Sequence, residues 1–571
     1  CTAEGADETQ GIGTLALEQL PGQIAETGSI AVDGVSGATI TSDAIKEAAA
    51  AALVAAGLNA DDYKTAVEAD TTKAEDSTID ADVAIVGAGG AGMTAAITAA
   101  AEGKSVVILE SQPMVGGNSV RATGGMNAGD TVYQDENEFG ESAGVEKTLK
   151  TAAEKYADNA TITALAKTVS EQWAAYQADP KGYFDSVELM ELDTMIGGKG
   201  LNNPELVETL CSNSADAIDW LDEHGITLHS VSSFGGASVK RIHRPVDGDG
   251  KTVSVGSYMI PLLQENCDKA GVQTLLNTTA TEILTDANGA AVGVKATGAS
   301  GETVTVNAKA VVLATGGFGA NLDMVTKYKP ELKGFMTTNA AGAQGQGIEM
   351  ATAIGADTVD MDQIQIHPTV EANTAALITE GLRGDGAVLI NAEGKRFIDE
   401  VGTRDVVSAA EIAQTGSYSW LVVDQAMVDA SSVIQGYIKK GYTVTGETYE
   451  ELGKAMGVDE AAFAETMNTW NGYVEAKNDP DFGRTSFANP LNTAPYYAIK
   501  VTAGVHHTMG GLKINTNTEV LKADGSVIPG LFAAGEVTGG VHGANRLGGN
   551  AVADFTVFGR IAGAAASKYA A

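Results

Sequence analysis

The chain has 571 residues, with 36 lysines and arginines against 74 aspartates and glutamates, and its formal net charge is −38. This acidic excess argues against binding to nucleic acid or to an anionic membrane surface, because like charges repel. The three cysteines and seven histidines form no C-x-x-C, C-x-x-C-H or H-E-x-x-H pattern, which argues against iron–sulfur clusters, haem and a metal site. Any redox chemistry is therefore expected to use an organic cofactor.

The first 80 residues differ in composition from the rest of the chain. Residues 1–57 are rich in glycine and alanine and end in a predicted helix from 42 to 56, with Ser42 as its N-cap. Residues 58–80 are polar and acidic without an apolar period, which predicts a linker. The opening Cys1-Thr2 resembles the mature start of a lipid-anchored exported protein. A fragment boundary is the alternative, and the sequence leaves both open.

A nucleotide-binding pattern follows the linker. The apolar run 83–86 predicts a buried parallel strand, and the loop GAGGAG at 87–92 comes directly after it. An alanine-rich helix at 95–101 then leads to a second strand at 105–109, which makes a βαβ unit. Glu110 ends the second strand, where its carboxylate can accept a hydrogen bond from a ribose hydroxyl. With strand, helix and acid in place, the pattern predicts dinucleotide binding.

The glycines of this unit have separate predicted roles, and further glycine loops lie far along the chain. Gly87 permits the turn, Gly89 lets a pyrophosphate approach the backbone, and Gly92 lets the helix pack closely on the strand. A free NAD usually needs only this first loop, whereas a long flavin dinucleotide lying across a sheet edge needs several. The other loops are GGNS at 116–119, ATGGMN at 122–127, ATGG at 314–317 and GLFAAGE at 530–536.

Histidines and arginines cluster in a third set of motifs. These residue types bind carboxylates through charge-assisted hydrogen bonds, which both hold and orient a dianionic substrate. A surface ion pair explains a single such residue, but several of them in glycine-rich turns indicate a site. The motifs are HPT at 367–369, TEGLRG at 379–384, TRD at 403–405, HHTMGG at 506–511 and HGANRLGGN at 542–550.

From about residue 80 onward the chain resembles the soluble fumarate reductase flavoproteins, the family of flavocytochrome c and urocanate reductase. The resemblance implies an α/β fold in which a Rossmann-like FAD-binding domain is split by an inserted α+β clamp domain. A small FMN-binding segment precedes them. The predicted boundaries are 1–57 for the partial FMN-binding module, 58–80 for the linker, 81–361 and 506–571 for the FAD-binding domain, and 362–505 for the clamp.

The resemblance also implies a mechanism, the reduction of a C=C bond. FAD supplies a hydride from N5, Arg404 protonates the adjacent carbon, and Glu380 with Arg383 relays protons from solvent. Two pairs of side chains would hold the substrate carboxylates, namely His506 with Arg546 and His367 with Thr379. The second pair suits a carboxylate better than an imidazole ring, so we expect fumarate rather than urocanate, an acrylate or an aryl-acrylate.

Non-covalent FAD is expected to contact a set of residues that the resemblance identifies one by one. In one departure, GQG stands at 345–347 where the family usually has Gly-Asp-Gly. The predicted cofactor-binding residues are Gly87, Gly89, Ala91, Gly92, Glu110, Gly117, Asn118, Ser119, Thr123, Gly124, Gly125, Ala280, Thr315, Gly316, His507, Gly535, Glu536, Ala551 and Val552.

The N-terminal segment resembles a module that carries covalent FMN. The sequence DGVSGAT at 33–39 is similar to the motif at which a flavin transferase attaches FMN through a phosphoester to Thr39. The alternative is a plain glycine turn before a helix. Electrons would pass from an external donor, of the membrane quinol dehydrogenase or cytochrome type, through FMN to FAD, and an extracytoplasmic location is expected.

Two other functional classes remain open at this point. One is an oxidase or dehydrogenase that runs the reaction in reverse, and the other is a flavin-carrying electron-transfer or sensor module without catalysis.

Overall fold

The computed structural model describes residue 3 and residues 13–35, 39–64 and 73–571. Several predictions fall outside these residues. They concern Cys1, residues 36–38 of the predicted FMN attachment motif, and residues 65–72 of the predicted linker.

Helices occur along the whole described chain. In order they are α1 (Gly13–Thr27), α2 (Thr39–Ala55), α3 (Gly90–Ala101), α4 (Ser142–Lys155), α5 (Ala160–Ala178), α6 (Val187–Gly197), α7 (Pro204–Ser212), α8 (Ser214–Glu223), α9 (Val255–Lys269), α10 (Leu322–Tyr328), α11 (Gln346–Ala353), α12 (Gly381–Gly384), α13 (Arg404–Ile412), α14 (Gln425–Ala430), α15 (Ser432–Lys439), α16 (Tyr449–Met456), α17 (Glu460–Ala476) and α18 (Asn550–Tyr569).

Strands occur between groups of these helices, and the mixed α/β structure confirms the predicted α/β class. In order they are β1 (Ser77–Val86), β2 (Val106–Leu109), β3 (Met126–Asn127), β4 (Ser230–Ser232), β5 (Ile242–Arg244), β6 (Gln273–Leu275), β7 (Thr279–Thr285), β8 (Ala291–Thr297), β9 (Thr303–Leu313), β10 (Thr358–Val359), β11 (Ile364–Glu371), β12 (Val388–Ile390), β13 (Tyr418–Asp424), β14 (Thr443–Gly446), β15 (Tyr496–Thr508), β16 (Gly511–Leu512), β17 (Glu519–Leu521) and β18 (Val527–Ala533).

The largest sheet has the strand order β17-β18-β9-β1-β2-β6, and β8 and β7 extend it beside β9. Strands β18, β9, β1, β2 and β6 run parallel. The apolar end of β1 is buried between two neighbours, so that Val83 pairs with Val106 on one side and Ala310 on the other. Since the carboxyl ends of parallel strands share one sheet edge, the loops that follow β1, β2, β9 and β18 meet there.

Helices α3 and α18 cover this sheet and touch each other closely. Glycines make the approach possible, because a Cβ at Gly563 would lie 2.4 Å from the carbonyl oxygen of Ala95. Both helices begin at the sheet edge where the loops meet. The N-terminus of a helix attracts anionic groups.

A second, antiparallel sheet is built mostly from the predicted clamp region. Its order is β11-β15-β13-β12, with β14 also pairing with β15, and α13 packs against β11, β13 and β15. Strand β15 runs through the predicted boundary between residues 505 and 506 without a break. One strand thus carries both clamp residues and the histidines of the HHTMGG motif. The domain boundaries themselves stay predictions.

Two predictions near the N-terminal end are wrong in detail. Helix α2 begins at Thr39, and Ser42 lies inside it rather than at its N-cap. The Ser42 hydroxyl is buried and accepts a hydrogen bond from the Val35 backbone N–H at 3.0 Å, so it ties the preceding loop to the helix. Strand β1 starts at Ser77, inside the predicted linker, because its polar first residues pair with β9 while facing solvent.

Candidate active site

One large cavity opens at the carboxyl edge of the parallel sheet and extends toward the antiparallel sheet. It contains about 1620 Å³ of empty space, part of it open to solvent. The predicted cofactor-binding residues other than Gly92 line it, and so do the four predicted substrate-binding residues. Arg404 and Glu380 line it as well, whereas Arg383 does not. The structure therefore brings together residues that are up to 465 positions apart (552 − 87 = 465).

The glycine loop after β1 has the geometry that a dinucleotide cradle requires. Gly87 has φ of +105°, and a Cβ there would lie 2.4 Å from the Ala314 carbonyl oxygen. A Cβ at Gly92 would lie 1.9 Å from the Gly87 carbonyl oxygen, so Gly92 supports the turn from behind the cavity. At Gly89 the nearest atom, Ser119 Oγ, is 3.7 Å away, and this glycine faces the cavity.

Two buried carboxylates fix the loops around this cradle. Glu110 accepts hydrogen bonds from the backbone N–H groups of Ala88 at 2.8 Å and Gln112 at 2.9 Å. Burial raises the pKa of Glu110, although these two hydrogen bonds act to lower it. Glu536 accepts from the Thr508 N–H at 3.0 Å and from Asn118 Nδ2 at 3.3 Å, and burial raises its pKa too. Both carboxylates keep acceptor capacity at the cavity wall, where ribose and flavin hydroxyl or N–H groups could donate.

These features fit FAD. The helix N-terminus after Gly89 presents backbone N–H groups where a pyrophosphate would bind. His507 Nδ1 is buried in the cavity wall without a hydrogen-bond partner among the described residues, which buried polar atoms rarely tolerate unless a ligand completes the site. Gln346 stands in the GQG motif where the family usually has an aspartate, and it also lines the cavity. This position therefore belongs to the predicted FAD site even though the acid is missing.

The other end of the cavity is charged. Arg404, the first residue of α13, donates to Glu380 Oε2 through Nε at 2.7 Å, and its Nη2 is 2.6 Å from the same oxygen. Its Nη1 donates to Gln365 Oε1 at 2.9 Å, and Arg546 Nη2 donates to that oxygen at 3.3 Å. One amide oxygen thus holds two buried guanidinium groups side by side. This arrangement is suited to an anion with carboxylates at both ends.

Two histidines face these arginines. His367 is fully buried, and its Nδ1 accepts a hydrogen bond from the Thr369 backbone N–H at 3.1 Å. The neutral ring therefore carries its proton on Nε2, which has no partner in the part of the chain that the structure describes. The His506 ring lies 4.9 Å from it, with Nδ1 2.7 Å from Thr338 Oγ1. Burial, and then the neighbouring Arg404, hold the pKa values of both histidines well below the usual range.

Glu380 links the cavity to Arg383 behind it. Arg383 Nη2 lies 3.0 Å from Glu380 Oε1, and its Nη1 donates to the Glu400 carbonyl at 2.6 Å. Burial opposes ionisation of Glu380, but Arg404 and Arg383 hold its pKa below the usual value. Burial also lowers the pKa of Arg383, with the charge of Arg404 acting in the same direction. Three ionisable groups thus form one continuous buried row that starts at the cavity.

Sequence reasoning missed several residues of the site. Gln365 is the most connected of them, since its Nε2 also donates to Asn545 Oδ1 and the Arg546 carbonyl, each at 2.7 Å. A period of two would have found it, because Gln365 and His367 are two apart on β11 and share a face. Asn339 bonds Asn118 from a distant loop, with Asn118 Nδ2 donating to its Oδ1 at 2.6 Å, and no local pattern predicts such a contact.

No helix in the described ranges is both long and apolar enough to span a lipid bilayer. Within those same ranges, no group of three or more His, Cys, Asp and Glu side chains is arranged to hold a metal ion.

Comparisons with known proteins agree with this geometry. The family model of an FAD-binding domain matches residues 82–179 and 172–552, and that of an FMN-binding domain matches residues 3–54. The chain is 43% identical over 488 residues to a fumarate reductase (cytochrome) of Shewanella frigidimarina, which covers 86% of this chain and 77% of that protein.

A second relative is an NADH:fumarate oxidoreductase of Klebsiella pneumoniae strain 342, 41% identical over 558 residues. The match covers 98% of this chain but 54% of the relative, so the chain spans about half of that protein's length. The solved open conformation of a flavocytochrome c3 fumarate reductase matches with a TM-score of 0.64 at 38% identity, covering 86% of this chain and 79% of that one. The chain therefore belongs to the fumarate reductase family of FAD-binding flavoprotein oxidoreductases and also contains an FMN-binding domain.

Proposed function

We propose that this protein reduces the C=C bond of fumarate to give succinate. The observation that carries the proposal is the charged end of the cavity, where Arg404 and Arg546 share the Gln365 oxygen and His367 presents an unpartnered Nε2–H. These groups offer cationic or N–H donors to both ends of a short dianion. The glycine-lined remainder of the cavity would hold FAD beside them.

When bound, FAD supplies the hydride that the reaction needs. Arg546 and His506 would hold one carboxylate, and His367 and Thr379 the other. Such opposed donors polarise the double bond and stabilise the charge that develops when a carbon atom is attacked. Arg404 would protonate the adjacent carbon. Its Nε and Nη2 both contact Glu380 Oε2, so Glu380 would pass on to Arg404 a proton that it receives from Arg383.

The proposed substrate is a small dicarboxylate because the site is charged and its substrate-binding side chains are buried. Thr379 and His367 are fully buried, and both line the cavity. Urocanate, acrylate and aryl-acrylates are the alternatives, and each lacks one of the two carboxylates. Each would leave one pair of donors unmatched, and an unmatched buried donor costs about 1–3 kcal/mol.

A panel of enoates tests this proposal. Purified protein loaded with flavin is mixed with a reduced viologen dye and fumarate, urocanate, acrylate or an aryl-acrylate, and dye oxidation is followed. We expect fumarate to give the highest kcat/KM. Turnover of another enoate without turnover of fumarate would show that fumarate is not the substrate, while the proposed reduction of a C=C bond would stand. Faster oxidation of succinate than reduction of fumarate would indicate the reverse reaction, and no turnover at all would favour the sensor class.

We also propose that FMN is bound covalently at Thr39 by a flavin transferase and passes electrons to FAD from an external donor. Thr39 is the first residue of α2, and anionic groups are favoured near the N-terminal end of a helix. Protein made with the transferase should keep flavin fluorescence after acid precipitation. Thr39→Ala should abolish this fluorescence, whereas Thr27→Ala, at the end of α1, should keep it. An unmodified Thr39 in the mass spectrum would contradict the attachment.

A further inference from the structure

Glu411 is a buried carboxyl group that the mechanism described so far does not use. It lies on α13 seven residues after Arg404, and this spacing places both side chains on one face of the helix. Its side chain is completely buried. Oε1 accepts a hydrogen bond from the Ser419 hydroxyl on β13, and Oε2 has no partner among the described residues. A carboxyl group with a free buried oxygen needs an explanation, because burial disfavours it strongly.

The candidate partner for this oxygen is Arg383, which is the innermost group of the buried row that begins at Arg404. The charge of Arg383 lowers the pKa of Glu411, and the charge of Glu411 raises the pKa of Arg383. Arg383 Nε, like Glu411 Oε2, lacks a hydrogen-bond partner in the described chain. A single bridging water would satisfy both atoms, and buried waters usually occupy such positions. Such a water would extend the row from Arg383 to Glu411.

Glu411 is the second-last residue of α13, and the chain that follows this helix forms an exposed turn. Arg383 is almost completely buried, with 1% of its side chain exposed. The backbone carbonyl of Glu411 accepts from the Gln414 N–H at 2.9 Å, at the start of a turn whose Thr415 and Ser417 are exposed. Ser419, the partner of Glu411, is two residues from this turn.

We propose that Glu411 is the proton donor that reloads the relay of Arg383, Glu380 and Arg404 after each turnover. The inference rests on the proposed reduction of an enoate. Arg404 loses an N–H proton to the substrate carbon, the Glu380 carboxylate accepts a proton from Arg383, and Glu380 passes that proton on to Arg404. The Glu411 O–H bond then breaks as its proton reaches Arg383. The carboxylate that remains takes a proton from water at the surface turn, and no electrons move in these steps.

The protonation state of Glu411 agrees with this role. Burial raises its pKa to about 8, against the opposing effects of the Ser419 hydroxyl bond and the Arg383 charge. The strands packed on α13 also carry His367 and His506, which burial keeps neutral. Glu411 is therefore a carboxylic acid at neutral pH and can donate. As the pH rises through about 8 it ionises, so the rate should fall over that range.

The test compares the wild type with Glu411→Gln, Glu411→Asp and Glu371→Gln. Glu371 is a matched control, a buried carboxylate that caps a turn by accepting from the Thr374 N–H at 2.7 Å. With reduced dye and fumarate, we expect Glu411→Gln to lower kcat by about 10²-fold, at unchanged FAD content and KM, and to lose the fall in rate near pH 8. Glu411→Asp should recover part of the rate, and Glu371→Gln should keep it.

A second readout does not depend on turnover. In the infrared spectrum of the wild type, the C=O band of a protonated carboxyl should disappear as the pH rises through about 8. That change should be absent from Glu411→Gln and present in Glu371→Gln. A folded Glu411→Gln with the wild-type rate and pH profile would overturn the relay while leaving the reductase function intact. If the wild type reduces no enoate, the proposed function fails, and the infrared titration still decides whether Glu411 holds a proton.

Discussion

The two ends of the cavity are built on different principles. At the cofactor end the walls are mainly glycine backbone, and the shape is fixed by close contacts such as that between Gly87 and Ala314. At the substrate end the walls are buried charges, and the arrangement is fixed by hydrogen bonds that converge on Gln365 and Glu380. Glycine loops tolerate little change in volume, whereas the charged cluster tolerates little change in polarity.

Because of this difference, we expect cofactor binding and acid–base chemistry to be separable in this fold. The glycine loops belong to the parallel sheet, and the acid–base groups belong largely to the antiparallel sheet and its helices. A change at one end is therefore expected to spare the property that the other end provides. The following predictions test that separation, beginning with the largest effect.

Arg404→Ala should abolish turnover and leave the cofactor in place. The substitution removes the proposed proton donor and one of the two guanidinium groups on Gln365, so kcat should fall by about 10³-fold or more. The flavin absorbance of the purified protein should match the wild type. Arg560→Ala, on α18 with its guanidinium carbon 5.7 Å from the Trp220 ring centre, is the control and should keep full activity. Loss of FAD from Arg404→Ala would show that the charged end also supports the cofactor.

Gly87→Ala, at the cofactor end, should instead destabilise the fold. The new Cβ would overlap the Ala314 carbonyl and force a φ of +105° on alanine, so the free energy of unfolding should fall by about 2 kcal/mol or more. Gly89→Ala is the matched variant, because its Cβ would meet no protein atom closer than 3.7 Å. It should unfold at the wild-type temperature as apoprotein but bind FAD more weakly. Equal destabilisation of both variants would contradict the assignment of Gly89 to cofactor contact.

Gln365→Leu should lower the rate by about 10²-fold, because two guanidinium groups lose the oxygen that aligns them. We expect the effect in both kcat and KM, since Arg404 and Arg546 are both released. Gln363→Leu, two residues earlier in the chain, provides the comparison and should behave like the wild type. Rates within threefold of each other for the two variants would mean that Gln365 only fills space.

The smallest expected effect is on stability as a function of pH. His367 stays neutral in the folded protein because burial and Arg404 lower its pKa, whereas in the unfolded chain it titrates near 6.5. As the pH falls through 6.5, the unfolded state binds the proton first. The contribution of His367 to stability is therefore present above this pH and lost below it. The thermal midpoint should drop between about pH 7.5 and about pH 5.5, and less so in His367→Gln. An equal drop in both proteins would assign the pH dependence to other groups.

Much of the cofactor end could be predicted from local sequence. The turn at Gly87, the helix that follows it and the acid at Glu110 depend on backbone conformation and short spacing, which a linear pattern records directly. The substrate end could be predicted only as a set of residue types. Nothing local to the TEGLRG motif says that Arg383 lies behind Glu380 rather than in the cavity. That position follows from the packing of α12 against residues such as Glu400.

By itself the sequence determined the α/β class, the glycine cradle, the charged motifs and the family, because each depends on residue type at short spacing. The tertiary structure decided which of those residues share a wall. It placed Gln365 between two arginines, put the proton of neutral His367 on Nε2, moved Ser42 inside a helix and buried Glu411 on the helix that begins at Arg404. These outcomes depend on burial and on contacts between distant segments, and hydrogen-bond partners of that kind are set only when the whole chain has packed.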